Sequence, residues 1–296
     1  MFDVIVAGGS YAGMAAALQL VRAYRKVLVI DAGLRRNRFA SVSHGLLGQD
    51  GRAPEAIFAD AKAQLMNYPD LSWHDGTATA AEGGMDGFVV RTADGGVFEA
   101  RRLILATGVS DRLPDVPGLA ERWGTTVVPC PYCHGHEFAR GPLGVLAAGE
   151  LSLHQALLIP EWGATTLFTN GVFQPDAAQL RQLAGRGVAI ETGLVAEICG
   201  AGASVRLRDG RLIALDGLFI ATRIVQGPLA GQLGCALVDG MLGPLIQTDD
   251  FKMTSVPGVF ACGDAARMMA SLSLAIGDGA MAGIGTHRSL IFEGLQ

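Results

Sequence analysis

Short, uninterrupted apolar runs alternate along the chain with stretches that favour helix. Residues 4–7 form an apolar run that ends in Gly8-Gly9-Ser10-Tyr11-Ala12-Gly13, and residues 14–20, Met-Ala-Ala-Ala-Leu-Gln-Leu, are strong helix formers. A second apolar run, residues 27–30, stops at Asp31. Strand, glycine-rich turn, helix and strand in this order predict a βαβ unit. Residues 103–105 read as a buried strand ending in Ala106-Thr107-Gly108, and Val259-Phe260-Ala261-Cys262 delivers Gly263-Asp264 to a helix start. Between them the alternation recurs. Residues 143–146 lead into Ala147-Ala148-Gly149-Glu150-Leu151-Ser152, residues 165–168 follow at βαβ spacing, and residues 217–222 read as a closing strand. The expected class is therefore α/β, with two dinucleotide-fold (Rossmann-like) units.

Composition narrows this. Half of the residues are hydrophobic and 17% are charged, against about 25% in ordinary soluble domains, which excludes a disordered chain. Glycine accounts for 41 of 296 residues without a triplet period, pointing to tight turns or close backbone approaches. A length of 296 residues suits one or two domains, two being preferred. The net charge is −5, and the only basic cluster is Arg35-Arg36-Asn37-Arg38, so no nucleic-acid partner is expected. Mean hydropathy is +0.33. No run approaches the roughly 18 apolar residues of a spanning helix, so no membrane partner is expected either. Met1-Phe2-Asp3-Val4 enters a strand at once with no basic leader, which gives a cytoplasmic expectation. In such a compartment five cysteines do not make a disulfide framework.

The first turn has the parts a dinucleotide needs. Gly8 permits the tight turn, and Gly13 lets the helix pack close to the strand. Ser10 is small enough for the backbone to approach a pyrophosphate at the helix start. Asp31 is placed to accept bonds from a ribose. A glycine-rich turn without a ligand is the plainer alternative; with strand, helix and terminal acid together, a nucleotide is the better reading. These residues alone leave NAD and FAD both open.

The turn, the Ala106-Thr107-Gly108 strand end and the late Gly263-Asp264 resemble, in this order and spacing, the thioredoxin reductase-like flavoproteins, from Val4 to about Gly283. The resemblance implies FAD held by residues 1–113 together with 244–296, and an inserted NAD(P)-binding-like domain over residues 114–243. It implies cofactor contacts at Gly8, Ser10, Ala12, Gly13, Asp31, Arg36, Asn37, His44, Ala106, Thr107, Gly108, Gly263 and Asp264. It also implies one at Ser271, where the family has a Gln against the isoalloxazine. The inserted domain departs from the family. Ala147 and Ser152 stand where its phosphate turn has glycines, and only Gly149 survives. The segment Thr169-Asn170-Gly171-Val172-Phe173-Gln174-Pro175 lacks the family's His-Arg-Arg cluster for a 2′-phosphate. Arg181 and Arg186 follow on a predicted helix, where a solvated surface role is expected. A phosphate without these partners forfeits about 1.5–3 kcal/mol per charge-assisted bond, so the nicotinamide site is expected to be lost.

Cys130-Pro131-Tyr132-Cys133-His134 admits several readings. It matches c-type haem attachment, which needs export. With His134 or His136 it offers half of a zinc site, without a second cysteine pair at ligand spacing. It copies a glutaredoxin Cys-Pro-Tyr-Cys, in sequence already read as nucleotide folds. Best supported is the redox disulfide implied by the resemblance, with Pro131 preset for a first helical turn whose dipole lowers a thiol pKa. Cys199, Cys235 and Cys262 are expected to pack. Trp123, Trp162 and Phe173 are read as core before pocket.

The family's Asp after the second cysteine is His134 here. With Ser43-His44-Gly45 and the missing arginines, this resembles the dithiol oxidase branch, which closes disulfides in natural products of the gliotoxin and holomycin type. Oxidising a dithiol removes two protons near neutral pH, and imidazole, at pKa about 6.5, suits that task. The resemblance implies a small-molecule dithiol substrate, O2 as acceptor giving peroxide, and a homodimer. It gives Cys130 to the substrate, Cys133 to the flavin, and His134 or His136 as base. Two other functions stay open: a thioredoxin reductase-like enzyme acting on a thioredoxin-like protein and fed by NADPH, ferredoxin or another flavoprotein, and a non-enzymatic flavin-bound regulator.

Overall fold

A computed structural model describes residues 1–292. The chain divides into two compact units, one formed by Met1–Arg38, Gly45–Ser110 and Ile224–Gln296, the other by Phe39–His44 and Asp111–Arg223. The sequence reading ended the inserted part at residue 243. In the structure the return to the first unit begins twenty residues earlier, at Ile224, and six residues from the early loop join the second unit.

The first unit opens with β1 (Phe2–Ala7), α1 (Tyr11–Val21), β2 (Val27–Asp31), α2 (Pro54–Leu65) and β3 (Leu71–Asp75). A meander follows: β4 (Ala78–Gly84), β5 (Gly87–Thr92) and β6 (Val97–Leu105). The sheet order is β3-β2-β1-β6-β5-β4, with β1 parallel to both β2 and β6. Apolar residues fill both faces of the parallel part. Val4, Val6, Val27, Val29 and Ile104 face α1, while Ile5, Leu28, Leu103 and Leu105 face the opposite core, all of them buried. Burial on two sides is why these strands read as unbroken apolar runs.

After β7 (Val109–Arg112) the chain builds the second unit. Its elements are β8 (Val127–Val128), α3 (Pro131–His134), β9 (Arg140–Leu146), α4 (Leu151–Leu158), β10 (Gly163–Phe168), α5 (Ala177–Gly185) and β11 (Ala189–Glu191). An antiparallel excursion of β12 (Val195–Cys199), β13 (Ser204–Leu207) and β14 (Leu212–Ile213) precedes β15 (Gly217–Phe219). The parallel sheet runs β11-β10-β9-β15-β8, its first four strands matching β3-β2-β1-β6 of the first unit. This is the doubly wound α/β fold the alternation predicts.

The return supplies β16 (Arg223–Gln226), α6 (Leu229–Gln232), β17 (Leu237–Asp239), β18 (Pro244–Ile246), β19 (Val259–Ala261) and α7 (Leu272–Phe292). β19 adds in parallel to the C-terminal half of β6. Helix α7 lies against α1 so closely that a Cβ on Gly279 would stand 2.0 Å from the Ala12 carbonyl oxygen.

Candidate active site

In the first unit the turn after β1 is shaped by glycine. Gly8 has φ +108°, and a Cβ there would meet the Ala106 carbonyl oxygen at 2.2 Å. A Cβ on Gly13 would lie 1.8 Å from the Gly8 oxygen. Ser10 is the N-cap of α1 and makes no side-chain cap bond, which leaves the first-turn N–H groups to an anion. Asp31 is buried at the end of β2, where its Oδ1 accepts the Gly9 N–H at 3.2 Å. Its expected ribose role is thus joined by a second one, holding the turn itself. Asn37 Nδ2 donates to the Tyr11 hydroxyl at 3.3 Å, and Arg36 Nη1 pairs with Asp264 Oδ2 at 2.9 Å. The pair ties the loop after β2 to the turn after β19. Gly263 in that turn has φ +70°, and its N–H donates to the buried Asp278. At the end of β6, Ala106 is buried, Thr107 is exposed, and Gly108 has φ +62°.

Two of the residues expected at the cofactor also have protein partners. The Ser271 hydroxyl accepts the Leu274 N–H, serving the start of α7. His44 lies in the second unit, its Nε2 3.3 Å from Glu137 Oε1.

In the second unit, Cys130 is extended (φ −126°, ψ 117°) and Pro131 opens α3, a single turn. So short a helix develops little dipole, and the expected thiol activation from that source is correspondingly small. The turn nevertheless brings the Cys130 and Cys133 sulfurs to 2.9 Å. Three contacts brace it. Gln155 Nε2 of α4 donates to the Pro129 carbonyl at 3.0 Å. The Tyr132 ring, 67% exposed, meets Trp162 edge-on at 5.3 Å between centroids. Gly135 lets Trp162 approach, because a Cβ there would lie 2.5 Å from the indole. Ala139 and Arg140 both take left-handed backbone (φ 51° and 62°) to turn the chain into β9.

His134 is half-buried, and burial pushes its pKa down; Glu137 opposes this and His44 adds to it. The ring is therefore neutral and able to accept a proton at neutral pH. His136 is exposed. Among the described residues, no group of three or more His, Cys, Asp or Glu is arranged to hold a metal ion.

The model of the pyridine nucleotide-disulphide oxidoreductases matches residues 2–279. The chain belongs to that family. An oxidoreductase from Agrobacterium tumefaciens is 52% identical with a TM-score of 0.96, each chain being 99% covered. HlmI is 34% identical with a TM-score of 0.92, over 99% of this chain and 94% of that one. Thioredoxin reductase tcpT of Claviceps purpurea (strain 20.1) is 33% identical over 95% of this chain and 92% of its own.

FAD is the cofactor of this oxidoreductase. The first unit fits it: a turn that any Cβ at Gly8 or Gly13 would fill, helix N–H groups left for a pyrophosphate, and Asp31 and Asp264 for hydroxyls. The second unit's equivalent turn differs. Ser152, fully buried, accepts the Ala148 N–H at 3.0 Å, so this turn already satisfies one of the donors a phosphate needs. Asn170, after β10, accepts the Val195 N–H at Oδ1, and Glu191, at the end of β11, is bound by Arg211 and the Gly193 N–H. Arg186 pairs with Glu161 at 2.6 Å, and Arg181 is exposed. Glu137, Gln155 and Asp278 carry no motif and were not singled out by the sequence; packing alone brings them in.

Proposed function

We propose that this oxidoreductase converts a small-molecule dithiol and O2 into the cyclic disulfide and H2O2, using Cys130 and Cys133. The observation that carries the reading is the pair of sulfurs at 2.9 Å across the start of a one-turn helix that ends in the desolvated His134. A substrate thiolate attacks Cys130 of the oxidised pair. A substrate–Cys130 bond forms, the Cys130–Cys133 bond breaks, and Cys133 leaves as thiolate. His134 accepts the proton of a substrate thiol. The second substrate sulfur then displaces Cys130 and the product disulfide departs. Bound FAD supplies the acceptor for the electron pair left on the two cysteines. The resemblance assigns Cys133 to that exchange, and the homodimer is likewise an expectation of the resemblance.

The self-capped turn of the second unit and the lack of phosphate-binding cations after β10 weigh against NADPH as reductant. A second reading, reduction of a thioredoxin-like protein, is favoured by the name of the Claviceps purpurea relative. Anaerobic mixing with dithiothreitol or with NADPH, followed by flavin absorbance, separates the two. Bleaching by the dithiol alone is expected, and rapid bleaching by NADPH overturns the proposal. Cys133→Ser should abolish bleaching by the dithiol.

A further inference from the structure

Oxidising a dithiol releases two protons, while the sequence supplies one imidazole directly beside the cysteine pair. The structure supplies another. Residues 39–44 leave the first unit's sequence neighbourhood and join the second, where Phe39 packs on Gly124; a Cβ on Gly124 would stand 2.5 Å from the Phe39 Cβ. The segment ends at His44, whose Nε2 meets Glu137 Oε1 at 3.3 Å. Glu137 is four residues beyond Cys133, in the short 3-10 turn His136–Phe138 that follows α3. The side chains of His44 and Glu137 are 22% and 39% exposed, so the pair is sheltered yet reachable. Both also act on His134 through space, the carboxylate favouring its charged form and the imidazole opposing it. Next to His44, Ser43 is buried with its hydroxyl unpartnered among the described residues.

We propose that His44 is a second proton acceptor for the dithiol, with Glu137 as its positioning residue. The assignment rests on the dithiol reading above. With Nε2–H donated to the carboxylate, Nδ1 carries the ring's lone pair. One substrate thiol gives its proton to one imidazole, and its sulfur bonds to Cys130 as Cys133 leaves with the electron pair of the broken protein disulfide. The other thiol gives its proton to the second imidazole, and its sulfur bonds to the first substrate sulfur as Cys130 departs. One disulfide is formed and one reduced, and the two protons stand on His44 and His134. Two neighbouring imidazolium charges repel each other. A carboxylate that reaches both offsets the repulsion, which gives Glu137 its function.

The test is anaerobic stopped-flow reduction of the FAD-loaded protein by dithiothreitol near pH 7, with flavin content and melting temperature as controls of folding. His44→Ala is expected to slow flavin bleaching by about 100-fold, the lower range for a general base, and added imidazole should restore part of the rate. Glu137→Gln should slow it about tenfold. The double variant should be slower than His44→Ala by less than the tenfold of Glu137→Gln alone, because part of the carboxylate's effect passes through His44 and the rest acts on His134. Wild-type bleaching at an unchanged rate in His44→Ala, or a slow variant that imidazole does not rescue, overturns this inference alone. Absence of bleaching in the wild type overturns the dithiol reading and this inference with it.

Discussion

Cys262 shows what complete burial does to a thiol in this chain. Burial drives its pKa far above the ordinary range; Asp278 adds to the effect, and Lys252 only partly opposes it. Burial also raises Cys235, against a weaker contribution from its bond to Thr254. Neither forms thiolate near neutral pH, so iodoacetamide at about pH 8 should label Cys130 and Cys133 in the reduced native protein and leave Cys235 and Cys262 unlabelled, as read by peptide mass mapping. The same force acts with opposite sign on His134, where desolvation favours the neutral ring. The unfolded chain therefore binds this proton more readily than the folded one, and stability falls as pH drops below about 6.5, levelling once the folded state's lower pKa is passed. The urea midpoint should drop more between about pH 7.5 and 5.5 in the wild type than in His134→Gln. At this scale the closeness of the two cysteines and His134 was legible, because they stand within five letters of one another. Glu137 and Asp278 were not, since a lone acid acquires its role only from what the fold sets against it.

The βα turns are the elements whose geometry is most constrained by single residues. Gly13→Val places side-chain carbon where the Gly8 carbonyl stands, 1.8 Å from an ideal Cβ, and must push α1 off β1. The expected cost is about 4 kcal/mol or more, in the range of severe overpacking at a buried site. It should be visible as loss of flavin on gel filtration together with a lower melting temperature. The first turn was readable because glycine, helix formers and Asp31 follow one another within a single βαβ unit. In the second, Ala147 and Ser152 at the glycine positions were readable, but Ser152 turning back to the Ala148 N–H was not, since only the folded turn shows that bond. The redox helix was expected with a useful dipole and is a single turn, because Gly135 and the left-handed Ala139 and Arg140 redirect the chain almost at once.

The division into two Rossmann-like units followed from the repeated alternation of apolar runs and helices, while its boundaries did not. Residues 224–243 contain only short elements, yet Leu229, Ala230 and Cys235 are buried in the core beneath the first sheet, which fixes their membership. No periodicity announces this. Helix α7 presents Met281, Ile284 and Ile291 outward, each about two-fifths exposed, along a face with helical spacing. Sedimentation at micromolar concentration should give a species of twice 30.8 kDa, and Ile284→Glu should shift it toward the single chain.

The excursion of Phe39–His44 out of the first unit means that neither lobe is encoded by an uninterrupted piece of the gene, even apart from the obvious insertion. A recombinant fragment covering residues 111–223 lacks the strip that lies over Gly124 and supplies a partner for Glu137. Such a fragment should gain stability when a synthetic hexapeptide of sequence Phe-Ala-Ser-Val-Ser-His is added in trans, as a split protein does when its missing strip returns.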